Sequence, residues 1–109
     1  MHRGRQILLV EDNPDDVTLT LRAFERNNII NEVLVAQDGA EAIDYLLPED
    51  RPQGADLPTV VLLDLKLPKI SGLDVLRRIR DDQRTRRLPV VILTSWRENS
   101  RRVAPALGV

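Results

Sequence analysis

The chain reads as an α/β domain built on a doubly wound, mostly parallel sheet. Three observations predict it. Short apolar runs alternate with amphipathic stretches, strand then helix, four times over, and this alternation specifies a parallel sheet with helices on both faces and right-handed crossovers. The run Thr59-Val60-Val61-Leu62-Leu63 is continuous and rich in β-branched residues, as expected of a strand buried on both faces. Two runs end in acids: this one in Asp64, and Ile7-Leu8-Leu9-Val10 in Glu11-Asp12. Carboxylates at strand ends are expelled from the core on the side of an open α/β sheet where ligands bind.

The elements follow in order. The first strand runs from Gln6 to Val10. Asn13-Pro14-Asp15-Asp16 starts a helix: Asn13 can cap, Pro14 suits the first helical position, and the two acids sit at the positive end of the dipole. Val17, Leu21 and Phe24 recur at helical spacing until Asn27-Asn28. Glu32 to Ala36 is a short second strand. Asp38-Gly39 turns into a second helix with Ala42, Ile43, Leu46 and Leu47 on its inner face. Pro48 to Pro58, with three prolines and a glycine, is the one long loop. Thr59 to Asp64 is strand three. Pro68 to Gly72 is a loop, and Leu73, Leu76 and Ile79 mark helix three. A polar connector, Asp81 to Pro89, leads to strand four, Val90-Val91-Ile92-Leu93, which ends in Thr94-Ser95. A weak last helix, interrupted by Pro105, is expected after it.

Composition narrows the function. At 109 residues the chain is long enough for one domain and too short for two. Hydrophobic content of 42% and charged content of 30% are ordinary for a soluble globular domain. A formal net charge of -1 argues against general nucleic-acid binding. The basic residues are 14 Arg and 2 Lys, with Arg clustered from Arg77 to Arg87; a solvated face is the plainer reading of that cluster, an acidic partner surface the functional one. With no cysteine there is neither a disulfide framework nor thiol chemistry. Met1 to Val10 resembles neither a signal peptide nor a transmembrane helix, so a cytoplasmic setting is the default.

If the first and third strands are neighbours, Glu11, Asp12 and Asp64 meet in one crevice. Three like charges repel unless a cation joins them, which points to a divalent metal beside a reactive aspartate. Mg²⁺ takes oxygen ligands, commonly one or two carboxylates with waters and a phosphate oxygen. A carboxylate is also a competent nucleophile toward a phosphoryl group. Taken singly, Asp64 could be a strand-end acid facing water. Asp15 and Asp16 read as helix-start electrostatics, Ser95 as a turn residue or a backbone N–H donor to a phosphoryl group, with the turn preferred, and Gly72 as a loop residue. His2, the one histidine, is assigned no role.

Leu9-Val10-Glu11-Asp12-Asn13-Pro14, Leu63-Asp64-Leu65-Lys66-Leu67-Pro68 and Leu93-Thr94-Ser95 together resemble the receiver domain of two-component response regulators. The match covers nearly the whole chain, residues 1–109, in the right order and spacing. The Glu-Asp-Asn-Pro start and the long loop before strand three are most similar to small stand-alone receivers that serve phytochrome-type and other sensor histidine kinases. The resemblance implies a flavodoxin-like (CheY-like) fold. It implies that Asp64 accepts a phosphoryl group from a kinase histidine. Asp12, Asp64 and the backbone carbonyl of Lys66 would ligate Mg²⁺, with Glu11 acting mainly through a bound water. Thr94 would turn its hydroxyl onto the transferred phosphoryl group and so bias a two-state switch.

The chain also departs from the family's pattern. The family carries a fifth strand ending in lysine and a fifth helix; Leu107-Gly108-Val109 resembles only the lead-in, and neither Lys66 nor Lys69 stands in for that lysine. The expected strand order is therefore 2-1-3-4, with strand four as an apolar edge inviting a homodimer. Trp96, two residues after Thr94, is expected either to shield the site or to pack on a surface. Ser71 stands where relatives often have an acid. A signalling switch with no activity on a separate substrate is the leading function. A degenerate receiver that binds partners without phosphotransfer is the alternative. A Mg²⁺-dependent phosphatase ranks third, because Lys66 occupies the place where such enzymes carry a second acid.

Overall fold

The computed structural model describes residues 5–50, 57–93 and 103–105. The chain order is β1 (Ile7–Val10), α1 (Pro14–Arg26), β2 (Val33–Ala36), α2 (Gly39–Leu46), β3 (Val60–Asp64), α3 (Gly72–Asp81), β4 (Val90–Leu93) and β5 (Val103–Pro105). They form one sheet of order β2-β1-β3-β4-β5. The first four strands are parallel, with Leu9 opposite both Val35 and Leu62, and Leu63 opposite Ile92. Right-handed crossovers in this order put α1 on one face and α2 with α3 on the other.

The main core lies between the sheet and the α2–α3 face. Leu8, Val10, Val61, Leu63 and Val90 meet Ala42, Ile43 and Leu46 of α2 and Val75, Leu76 and Ile79 of α3. Alternation along β1 and β3 sends Leu9 to the opposite face, where it too is fully buried. In α3 the inward stripe is Gly72, Val75, Leu76 and Ile79, at spacing i, i+3, i+4, i+7. Leu73, expected on that stripe, lies one residue off it and is 52% exposed. In α1 the residues that become buried are Asp16 and Thr20, whereas the apolar Val17, Leu21 and Phe24 are only half-buried.

The helix starts follow their sequence signals. Asn13 Oδ1 accepts from the amides of Asp15 at 2.8 Å and Asp16 at 3.2 Å, with Pro14 in the first turn. Asp38 accepts from the Glu41 amide at 2.8 Å, and the Glu41 carboxylate takes the Gln37 amide at 2.9 Å, a reciprocal cap.

The end of the sheet differs from expectation. Val103–Pro105 is a strand rather than the end of a last helix, and it runs antiparallel to β4, with Val91 opposite Pro105 and Leu93 opposite Val103. A proline, which cannot donate to a ladder, is at home on such an outer strand. Strand four is therefore paired on both sides and is not the open edge expected of it. The family's parallel fifth strand with its terminal lysine is a different element. The expected helix between strand four and β5, with Thr94, Ser95 and Trp96, lies outside the described residues, as do His2 and positions 51–56 of the long loop.

Candidate functional site

The pairing of β1 with β3 brings the ends of both strands together, with Val10 opposite Leu63. Beyond those two residues the chain places Glu11 and Asp12 beside Asp64. One carboxylate oxygen from each lies within 4.8 Å of the others. Glu11 is 3% exposed and Asp64 is 7% exposed, while Asp12 faces solvent. The expected trio is thus assembled, with two members inside the protein and one at its mouth.

Electrostatics in this trio are severe. Burial, then the charge of Asp64 and a side-chain hydrogen bond with Asp64, push the Glu11 carboxyl up to about 8 from 4.5; the Asn13 amide opposes this, and Asp16 adds a smaller push upward. At neutral pH Glu11 therefore holds its proton against Asp64. The Asn13 amide lies 3.2 Å from Glu11 Oε2, and the Lys66 amide donates to Asp64 Oδ1 at 3.0 Å.

Three hard oxygen donors, two of them buried beside one another, fit a small divalent cation. The oxygens lie close enough to share one ion, and the burial and Asp64 charge that push the Glu11 carboxyl up are what a cation's charge would relieve.

The connector after Asp64 shapes the site. Ser71 Oγ accepts from the Asp74 amide at 3.2 Å and caps α3, so the residue where relatives often carry an acid is a helix cap here. Gly72 packs directly against the site's backbone. A Cβ there would stand 2.4 Å from the Asp64 carbonyl oxygen and 2.6 Å from Leu65 Cα. The Gly72 amide also donates to the Leu65 carbonyl at 3.1 Å. Farther along, Lys69 adopts φ 67 and its ammonium meets Asp38 at 3.5 Å. A Cβ on Gly39 would stand 2.8 Å from the Ile70 carbonyl oxygen. The connector thus rests on α3 at one end and on the start of α2 at the other.

Sequence reasoning underrated two residues. Gly72, a loop residue by its sequence context, is the contact that lets α3 approach Asp64. Asp16 was read as helix-start charge only, but it is 5% exposed and close enough to Glu11 to raise its pKa. The available signal for Asp16 was its i, i+4 relation to Thr20, whose hydroxyl donates to the Asp16 carbonyl at 2.9 Å.

An open parallel sheet with an acidic cluster at its carboxyl end defines a class of α/β signalling and phosphotransfer domains, and comparison narrows it. The sequence profile of the response regulator receiver domain matches residues 7–107. The chain belongs to that family. It is 46% identical over 89 residues to the probable methanogenesis regulatory protein FilR2 of Methanothrix harundinacea, which covers 82% of this chain and 57% of that protein. The bacteriophytochrome response regulator AtBRR superposes with a TM-score of 0.73 at 55% identity, over 86% of this chain and 69% of the other. The Mn²⁺-bound form of response regulator Rcp1, a protein of Synechocystis, superposes with a TM-score of 0.71 at 36% identity, over 83% of this chain and 65% of the other. The chain spans 57% of the length of FilR2 and 60% of that of Rcp1. Receiver domains bind a divalent metal, and the cluster of Glu11, Asp12 and Asp64 could hold one. Among the described residues no helix is long and apolar enough to cross a membrane.

Proposed function

We propose that residues 1–109 act as one receiver unit in which Asp64 accepts a phosphoryl group from a phosphohistidine of a sensor histidine kinase. The observation that carries this reading is the convergence of Glu11, Asp12 and Asp64 within 4.8 Å at the strand ends. In the transfer, the phosphorus–nitrogen bond of the phosphohistidine breaks and a phosphorus–oxygen bond to an Asp64 carboxylate oxygen forms. The electron pair of the broken bond stays with the leaving imidazole. Asp12, Asp64 and the Lys66 backbone carbonyl would hold Mg²⁺, with Glu11 acting mainly through a bound water, and the ion when bound would supply charge neutralisation for the incoming phosphoryl oxygens.

The chain's own residues do the rest. The Lys66 amide, bonded to Asp64 Oδ1, helps fix the carboxylate that would attack. Burial of Asp64 limits water at the reacting atom. The Thr94 hydroxyl would take one phosphoryl oxygen after transfer and convert the event into a change of partner binding. The unit acts on its own aspartate and not on a separate substrate, in a cytoplasmic setting. A homodimer through strand four would require β5 to give up its pairing with that strand, and light scattering at micromolar concentration reads this directly.

The test is intact mass after incubation with Mg²⁺ and a small-molecule phosphodonor, beside Asp64→Asn. The expected result is one added phosphoryl group, absent in the variant. A folded wild-type protein that gains none would overturn the proposal and leave a partner-binding module without phosphotransfer.

A further inference from the structure

We propose that a cleft at the amino ends of β3 and β4 docks an acidic, leucine-containing segment of a partner protein. The cleft has a volume of about 630 Å³. It lies just before β3 and β4, at the opposite end of the sheet from Glu11, Asp12 and Asp64. The five residues of β3 put roughly 16 Å between the two ends. The inference is therefore independent of phosphoryl acceptance.

The lining is two-natured. Leu57, Pro58 and Leu88 supply an apolar floor, and Arg84, Arg86 and Arg87 supply the charge. The three arginines differ in state. Arg84 is held in place: its Nε and Nη2 bond the Asp82 carboxylate at 2.9 Å each, and its Nη1 donates to the Pro48 carbonyl at 2.8 Å. Arg86 and Arg87 are exposed, and among the described residues no side chain pairs with either guanidinium.

The rim that carries these two arginines is built. Arg80 Nη1 donates to the Arg86 carbonyl at 3.1 Å and to the Leu88 carbonyl at 2.8 Å. The buried Thr85 hydroxyl donates to the Ile79 carbonyl at 2.7 Å. Two guanidinium groups without a partner among the described residues are thus presented from a braced segment beside apolar surface.

Charge complementarity chooses the occupant. Six of the eleven residues from Arg77 to Arg87 are arginine, in a chain whose formal net charge is -1. Guanidinium forks match carboxylates in bidentate geometry. The cleft's size suits one or two side chains of a peptide. A leucine seated on Leu57 and Leu88, flanked by carboxylates reaching Arg86 and Arg87, satisfies both halves of the lining. Among the described residues no aromatic ring lines the cleft, so they offer none of the stacking surface that single-stranded nucleic acid uses.

The experiment is fluorescence anisotropy with the full chain and a labelled peptide of repeated Glu-Asp-Leu, at low salt and at physiological salt. Two further labelled peptides, repeated Gln-Asn-Leu and repeated Glu-Asp-Gly, separate charge from the apolar contact. Saturable binding of the first peptide is expected, with both others at least about tenfold weaker. Arg86→Glu with Arg87→Glu should weaken it by at least about tenfold, since it replaces attraction by like-charge repulsion. Arg22→Glu with Arg26→Glu, exposed on α1, makes the same change in net charge elsewhere and should leave binding within about twofold. Equal binding of the Glu-Asp-Gly peptide, equal loss in the α1 variant, displacement of the peptide by inorganic polyphosphate or an RNA oligomer at matched charge, or no saturable binding each overturns the proposal.

Discussion

Gly72→Ala is the sharpest perturbation of the site that leaves every carboxylate in place. The added methyl would meet the Asp64 carbonyl oxygen at 2.4 Å and Leu65 Cα at 2.6 Å. Ordinary carbon–oxygen contacts begin near 3.4 Å. The start of α3 must therefore withdraw by about 1 Å, because both contacting atoms belong to backbone and cannot rotate away. Overpacking of this kind costs about 1–3 kcal/mol. Withdrawal also stretches the Gly72–Leu65 hydrogen bond, now 3.1 Å, worth about 1 kcal/mol. Against this stands a gain of up to about 1 kcal/mol from alanine's better helix propensity. The net expectation is a loss of roughly 1–3 kcal/mol, or about 5–20 °C in Tm for a domain of this size. Divalent-ion affinity should fall with it, because the shift displaces the backbone that carries Asp64 and Lys66. Urea and thermal melts followed by circular dichroism give the first quantity, and titration calorimetry with Mg²⁺ gives the second. A Tm equal to or above wild type would refute the close-contact reasoning. A lowered Tm with unchanged ion affinity would refute the link from Gly72 to the site.

Two further predictions concern pH. Glu11 has a folded pKa near 8 against 4.5 when unperturbed, so without divalent ions its contribution to stability is fully present below about 4.5 and lost as pH rises through about 8. Chelator-treated protein should show this decline in urea midpoint, and Glu11→Gln should flatten it; a decline unchanged in the variant would assign it to other groups. Asp82 is held down to about 2 from 3.8 by hydrogen bonds from Arg84, so its contribution is present above 3.8 and lost as pH falls through about 2. Asp82→Asn should remove that acid-side component and loosen Arg84, which an acid titration of the variant against wild type reads directly.

Most of the fold was legible because its signals are short-range. Asn13-Pro14 marked α1, Asp38-Gly39 marked α2, and the runs ending in Glu11 and Asp64 marked β1 and β3; order and right-handedness then set the sheet. The acid cluster was legible for the same reason, since it needs only that β1 and β3 be neighbours. What escaped depends on tertiary approach. Leu73 is the first apolar residue of its helix, yet Val75 faces the core, because Gly72 and the cap at Ser71 fix the rotation of α3. Asp16 is buried near Glu11, an approach that no short-range signal marks. Val103–Pro105 was read as helix because no local signal distinguishes three residues that gain their order from pairing with β4.

The chemistry of the site follows from how the fold confines charge. Two ionised carboxylate oxygens no more than 4.8 Å apart repel by at least roughly 3 kcal/mol at an effective dielectric near 20. Three fully ionised carboxylates would impose that on every pair, an opposition large beside the marginal stability of a small domain. The strands that carry them are anchored where they cannot yield: Leu9, Val10 and Leu63 are fully buried immediately before the acids. Relief must therefore come from bound positive charge rather than from movement. A proton on Glu11 removes the two repulsions in which Glu11 takes part and leaves the one between Asp12 and Asp64. A divalent cation held by these residues would offset all three. Because burial and Asp64 raise the pKa of Glu11, divalent-ion affinity is expected to rise with pH, which titration calorimetry at several pH values would check. The proposed transfer to Asp64 would draw on the same confinement, because a carboxylate that cannot retreat from its neighbours would gain when an incoming group and its counter-ion share the charge.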